Sequence, residues 1–175
     1  MILAIDVGNT NIVIGCMNQG DVLWESRIDT NRSKTKDDYA ITLKMLLDVY
    51  QIESTELEGA IISSVVPVIT NNLRLATEMI LQNQVLVVNS MMNSGLKIEV
   101  ENKEKLGTDR IVDAVAAVEQ CPLPLVIYDL GTATTCSVID EKKRFIGGAI
   151  SPGLNLSLEA LSNRSSQLPN FEIEA

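Results

Sequence analysis

Histidine is missing from all 175 residues of this chain. That absence removes imidazole acid–base catalysis, His-ligated zinc and Ser-His-Asp triads, so any catalytic proton acceptor has to be a carboxylate. Aromatic residues are scarce, 3% against 46% hydrophobic residues overall. The core is therefore built from Val, Ile, Leu and Ala, as in strands covered by helices. Neither G-x-x-x-x-G-K-[ST] nor G-x-G-x-x-G occurs, which rules out a P-loop enzyme and argues against a dinucleotide fold. No apolar run approaches the roughly 18 residues of a membrane helix. Met1 leads straight into a strand pattern, so no signal peptide is expected. The three cysteines, Cys16, Cys121 and Cys136, lack C-x-x-C spacing. Cys16 and Cys136 fall in apolar strand-like runs, so buried, reduced thiols and a cytoplasmic location are expected. The net charge of −9 would repel nucleic acid and anionic membranes. It leaves ATP open as a ligand, because a polyphosphate is recognised by a local nest and Mg²⁺.

What the chain does contain is one device used twice. Leu3-Ala4-Ile5-Asp6-Val7-Gly8-Asn9-Thr10-Asn11 and Val126-Ile127-Tyr128-Asp129-Leu130-Gly131-Thr132-Ala133-Thr134 each run from apolar residues through Asp-x-Gly into small polar residues. Each then re-enters an apolar run. The pattern reads as a strand, a tight turn and a second strand paired back on the first. Such a turn gathers backbone N–H groups and short hydroxyls at one place, which suits a phosphate. The Asp at the strand end can hold a cation that neutralises it. A carboxylate at the end of a buried strand is costly unless paired or cation-bound, so Asp6 and Asp129 are candidate metal residues. Two copies so far apart suggest two related lobes gripping one polyphosphate.

Element order supports the duplication. A third strand is expected at Asp21–Asp29, a loop from Thr30 to Asp37, and a helix bearing Tyr39, Leu43, Leu47 and Tyr50. A strand from Gly59, a helix with Ile69, Leu73, Ala76 and Ile80, and a strand at Val85–Val88 complete β-β-β-α-β-α-β. After a polar passage comes a helix with Ile111, Val115 and Val118. Strands then restart at Leu125–Asp129, Thr135–Ile139 and Arg144–Ile150, followed by a helix from about Leu154 to Ser162. The expected division is a first lobe, residues 1–107, and the opening part of a second, residues 108–175.

Between the copies lies Gly107-Thr108-Asp109-Arg110, just before a helix. Thr108 or Asp109 would serve as an ordinary helix cap. The functional alternative makes Asp109 a general base and Arg110 a clamp for an anionic group, the two things phosphoryl transfer needs beyond a phosphate cradle. Ser63-Ser64-Val65-Val66-Pro67 reads as a strand end and turn, with lining of the cleft as the alternative. Gly147-Gly148-Ala149-Ile150-Ser151-Pro152-Gly153 has more glycine than a strand end needs, which suggests close backbone approach. Lys34, Lys36, Lys103 and Lys105 read as solvated loop residues.

Five segments, D-V-G-N-T-N at Asp6, S-S-V-V-P at Ser63, G-T-D-R at Gly107, D-L-G-T-A-T-T at Asp129 and G-G-A-I-S-P-G at Gly147, together resemble the type III pantothenate kinases. That resemblance implies an α/β, ribonuclease H-like (actin-like ATPase) fold of the acetate and sugar kinase/Hsp70/actin superfamily, with the second lobe truncated. It implies transfer of the ATP γ-phosphate to pantothenate, giving 4′-phosphopantothenate, the first step of coenzyme A synthesis. By the same resemblance Asp6, Val7, Gly8, Asn9, Thr10 and Asn11 would cradle the phosphates, with Asp6 on Mg²⁺. Gly131 and Thr132 would meet ATP, and Asp129 would bind K⁺ or NH₄⁺. Gly107, Thr108, Asp109, Arg110 and Val100 would bind pantothenate, with Asp109 as proton acceptor and Arg110 on the carboxylate. A homodimer is implied as well. The chain departs from the family at Val100, where a Tyr is usual, and at Lys103, where Pro usually follows Asn. Family members also run on for several dozen residues beyond this length. Two other functions fit the same phosphate features: a non-catalytic nucleotide-binding or regulatory protein, and a kinase for another small hydroxy acid.

Overall fold

Alternation along the first residues builds the first sheet. In β1 (Ile2–Val7) the side chains of Leu3, Ile5 and Val7 are buried, whereas Ile2 and Asp6 are exposed. β2 (Asn11–Asn18) and β3 (Asp21–Asp29) fold back antiparallel. β4 (Gly59–Ser64) lies parallel on the other edge of β1, and β5 (Val85–Val87) lies parallel to β4, giving the order β3-β2-β1-β4-β5. Two helices supply the covering layer: α1 (Lys36–Val49) buries Tyr39, Leu43 and Leu47, and α2 (Pro67–Leu81) buries Ile69, Leu73 and Ala76. These side chains and those of β1, β2 and β4 form one aliphatic core. The expected β-β-β-α-β-α-β order is present.

This computed structural model describes residues 1–164. By packing they form two units, residues 1–92 with 107–109, and residues 93–106 with 110 onward. The second unit contains a four-stranded sheet of order β6-β9-β8-β7, made of β6 (Lys97–Ile98), β7 (Leu125–Leu130), β8 (Ala133–Ile139) and β9 (Arg144–Pro152). β7, β8 and β9 are antiparallel neighbours, as β1, β2 and β3 are in the first sheet. Leu96, Ile98, Ile111, Ala114, Ile139 and Phe145 make the second core, to which α3 (Thr108–Gln120) contributes Ile111 and Ala114. α4 (Leu154–Arg164) closes the described chain. The last part of the expected second lobe, residues 165–175, lies outside the described residues.

Three differences from the sequence reading have local causes. The helix expected after Asp37 begins at Lys36, because Thr35 and Asp38 form a capping box. The Asp38 carboxylate accepts the Thr35 N–H at 2.8 Å, and the Thr35 hydroxyl accepts the Asp38 N–H at 3.3 Å. These two bonds satisfy N-terminal donors and start the helix two residues earlier. The polar passage before Gly107 is not simply a tail of the first lobe: residues 93–106 group with the second unit. Leu96 and Ile98 anchor that passage in the second core, and β6 is too short for a periodic signal. Finally, of the three free thiols only Cys16 is buried, while Cys121 is exposed and Cys136 is half-buried. Burial pushes the Cys16 thiol up from its ordinary pKa.

The β6–β9 pair is tied by charge. Arg144 donates to Asp140 at 2.7 Å through Nε and to Glu99 at 2.9 Å through Nη1. The Arg144 hydrogen bond holds the Asp140 carboxyl below its usual value. Glu99 is lowered as well, first by Lys97 and then by Arg144. A depressed carboxyl contributes stability above its unfolded-state pKa and loses that contribution as pH falls through the folded-state pKa. Urea unfolding of the chain should therefore show stability declining from about pH 4 downward. Arg144→Met should flatten that acid limb, and an unchanged slope would exclude this network as its source.

Candidate functional site

The first Asp-x-Gly turn closes β1 onto β2 within the first unit. Gly8 N–H donates to the Asn11 carbonyl at 2.9 Å. The loop after β3 then buttresses the turn: Thr30 donates from Oγ1 to the Gly8 carbonyl at 2.7 Å and from its N–H to the Thr10 carbonyl at 2.9 Å. Arg32 Nη2 donates to Asn9 Oδ1 at 3.3 Å. Short polar side chains and a cation thus surround the backbone of residues 8–11, the composition an anion nest requires.

The register of β1 against β4 places Asp6 beside Ser63 and Val7 beside Ser64. At this same sheet end the Thr108 hydroxyl donates to the Ser64 carbonyl at 2.9 Å and accepts the Ser64 N–H at 3.1 Å. Ser63 Oγ lies 3.4 Å from the same hydroxyl. The residues expected to act together, Asp6 and Gly107–Asp109, accordingly sit in one unit, with β4 between them as the shared support. The Asp109 carboxylate is folded back over Gly107, where a Cβ would strike it. A side chain at 107 would require that carboxylate to turn away. Thr108 therefore has a role beyond the capping role its position suggests. Its partner lies 44 residues away on the main chain of β4, which no local pattern reveals.

Arg110 belongs to the second unit. Its Nε donates to Ser137 Oγ at 3.0 Å and its Nη2 to the Cys136 carbonyl at 2.7 Å, while the guanidinium stands 5.4 Å from the Phe145 ring centroid. Gly148, with φ +159°, allows this arrangement: a Cβ there would overlap both the Cys136 carbonyl and Arg110 Nη2. The excess glycine of the G-G-A-I-S-P-G segment thus has a physical use. A cavity of about 270 Å³ opens beside Arg110, with Val100, Asn102, Lys105, Leu106 and the Gly147–Gly148 pair in its wall. Val100 also packs against the second core. Lys105 is exposed, as read from the sequence, and it also lines this cavity.

The second Asp-x-Gly turn joins β7 to β8. Gly131 N–H donates to the Ala133 carbonyl at 3.1 Å, and Gly153 N–H to the Thr132 carbonyl at 3.0 Å. A Cβ on Gly153 would collide with the carbonyls of Gly131 and Thr132, so the start of α4 closes directly over the turn. One expectation about both copies is corrected. Asp6 and Asp129 stand at strand ends, but both are exposed, so burial supplies no desolvation penalty that demands a cation. The metal reading rests on chemistry instead. Mg²⁺ keeps most of its waters and takes one or two carboxylates together with substrate phosphates. Asp6, placed beside Ser63 by the β1–β4 register, is of a type that fits that requirement. Among the described residues no cluster of three or more Cys, Asp or Glu side chains is placed to form an all-protein metal site.

Comparison with known proteins bears on these residues. A family model described as type III pantothenate kinase matches residues 2–175. A type III pantothenate kinase of an Exiguobacterium species is 44% identical over 173 residues, covering 99% of this chain and 68% of the relative. One from Halalkalibacterium halodurans is 41% identical over the same length, with the same coverage. The chain thus spans about two thirds of these relatives. Among solved structures, the activator of the 2-hydroxyisocaproyl-CoA dehydratase from Clostridium difficile, determined with bound ADPNP, aligns with TM-score 0.53 at 10% identity. The alignment covers 93% of this chain and 51% of that one. That likeness is one of fold, shared with sugar-kinase-type neighbours.

Gly148→Ala should lower stability by about 1–3 kcal/mol, since backbone and guanidinium must both move. Chemical denaturation measures this, and an unchanged midpoint would show that β9 yields freely at this point.

Proposed function

The chain belongs to the type III pantothenate kinase family, and we propose that it carries out ATP-dependent phosphorylation of pantothenate, the entry step of coenzyme A biosynthesis, with Asp109 as the general base. The observation that carries the assignment of Asp109 is the Thr108–Ser64 pair of hydrogen bonds, which holds the residue before Asp109 at the sheet end bearing Asp6.

In this reading the turn Gly8-Asn9-Thr10-Asn11 receives the ATP phosphates through backbone N–H groups, with Asp6 on the Mg²⁺ that accompanies them. Bound Mg²⁺ neutralises phosphate charge and orients the γ-phosphoryl group. Gly131 and Thr132 meet ATP from the second turn, and Asp129 holds the monovalent cation, K⁺ or NH₄⁺. Pantothenate lies along Gly107–Arg110 and Val100. Asp109 accepts the proton of its primary hydroxyl as that oxygen bonds to the γ-phosphorus. The bond from the γ-phosphorus to the β–γ bridging oxygen breaks, and ADP leaves with the electron pair. Arg110 supplies positive charge at the anionic end of the substrate, its plane fixed by Ser137, Cys136 and Phe145. A valine at 100 gives the pocket an aliphatic surface where a tyrosine would add a hydroxyl.

The partners under this proposal are ATP and pantothenate, in a homodimer located in the cytoplasm. Among the described residues no helix is long and apolar enough to cross a membrane.

A coupled ADP-release assay with pantothenate, Mg²⁺ and K⁺ tests the reaction. Asp109→Asn should lower turnover by about 10²–10⁴-fold, the span expected for a lost general base, with ATP affinity retained. Equal turnover of the two proteins would remove Asp109 from that role. Turnover of another alcohol in place of pantothenate would retain the fold assignment and overturn the substrate.

A further inference from the structure

Within the cavity beside Arg110 the charge is one-sided. Lys105 and Arg110 are in its wall, and Asp and Glu are absent from its lining. The two cations differ in freedom. Arg110 is already engaged by Ser137 Oγ, the Cys136 carbonyl and the Phe145 face, which fix its plane and occupy two of its donors. Gly148 leaves no room for it to shift toward β9. Lys105 ends a single tight helical turn, Lys103–Lys105, whose backbone is held by the Lys105 N–H on the Asn102 carbonyl at 3.1 Å. Its position is therefore set by the main chain. Its ammonium makes no hydrogen bond or ion pair with another of the described residues, whereas Lys97 and Lys143 both pair with glutamates.

A flexible four-carbon stem carrying three donors suits a cation that must follow a ligand into place. The same cavity is lined by Val100, Leu106 and Phe145, an apolar surface for a branched aliphatic body. From this juxtaposition we infer that Lys105 is a specificity-determining residue: its ammonium pairs with the carboxylate of the substrate and selects the acid over neutral analogues of the same body. Arg110 orients the anionic end from a fixed position, and Lys105 supplies the adjustable charge. This inference rests on the pantothenate reading of the same cavity. Lys105 is exposed, so its replacement leaves folding intact.

Calorimetric titration of the full chain with pantothenate and with pantothenol, in which a hydroxymethyl group replaces the carboxylate, provides the test. The proteins compared are wild type, Lys105→Met and Lys105→Arg. Wild type should bind pantothenate more tightly than pantothenol. Lys105→Met should weaken pantothenate by about fivefold, the upper range for a solvent-accessible ion pair, and leave pantothenol unchanged. Lys105→Arg should restore most of the preference, and added salt should erode it in wild type and in Lys105→Arg. Pantothenate binding unaffected by Lys105→Met, or both ligands weakened equally, would overturn the role of Lys105 while leaving the pantothenate reading in place. A wild-type chain that binds neither compound would overturn both.

Discussion

The structure around the candidate site depends on one pair of hydrogen bonds, those between the Thr108 hydroxyl and the main chain of Ser64. A hydroxyl that both donates and accepts fixes its residue in direction as well as distance. Through it, the segment Gly107–Asp109 is part of the first unit even though the residues on either side group with the second. Two positions later Arg110 is fixed just as firmly, by Ser137 and Cys136. Asp109 lies between these anchors in the chain, so its backbone has little freedom. A base that must meet a hydroxyl within hydrogen-bond reach benefits from such restraint, because catalysis by a carboxylate falls steeply with misplacement.

Electrostatics divides the labour among the polar residues. The first turn is braced by Thr30 on the Gly8 and Thr10 carbonyls and by Arg32 on Asn9, the turn proposed above to receive ATP phosphates. The cavity beside Arg110 combines Lys105 and Arg110 with Val100, Leu106 and Phe145 in its lining, the site proposed above for a small carboxylic acid. In a protein of net charge −9, these local cations matter more for anionic ligands than the overall charge does. The exposed setting of Asp6 and Asp129 is consistent with carboxylates that meet hydrated ions carried in by substrate.

Much of the fold could be read from residue patterns because its signals are periodic. Apolar runs around the Asp-x-Gly turn marked β1 and β2, alternation marked β3, and helical spacing of apolar residues marked α1, α2 and α3. The repeated Asp-x-Gly hairpin was legible as a duplication, and both sheets share the same antiparallel order of three strands. Features set by contacts distant in sequence were not legible. β6 is two residues long and exists through its pairing with β9. Thr108 resembles any helix-starting threonine until Ser64 is seen beside it. Lys105 resembles any loop lysine until the cavity is seen. The reason for Gly148 emerges only when Arg110 is placed against Cys136.

Steady-state kinetics of Thr108→Val and Thr108→Ser tests the central claim, that the Thr108 hydroxyl positions Asp109. Valine preserves the shape and removes the hydroxyl, whereas serine keeps it. The account predicts that Thr108→Val lowers kcat for pantothenate phosphorylation by about a hundredfold with KM for ATP little changed, and that Thr108→Ser recovers most of it. A Thr108→Val protein with wild-type kcat, or a serine variant no better than valine, would contradict it.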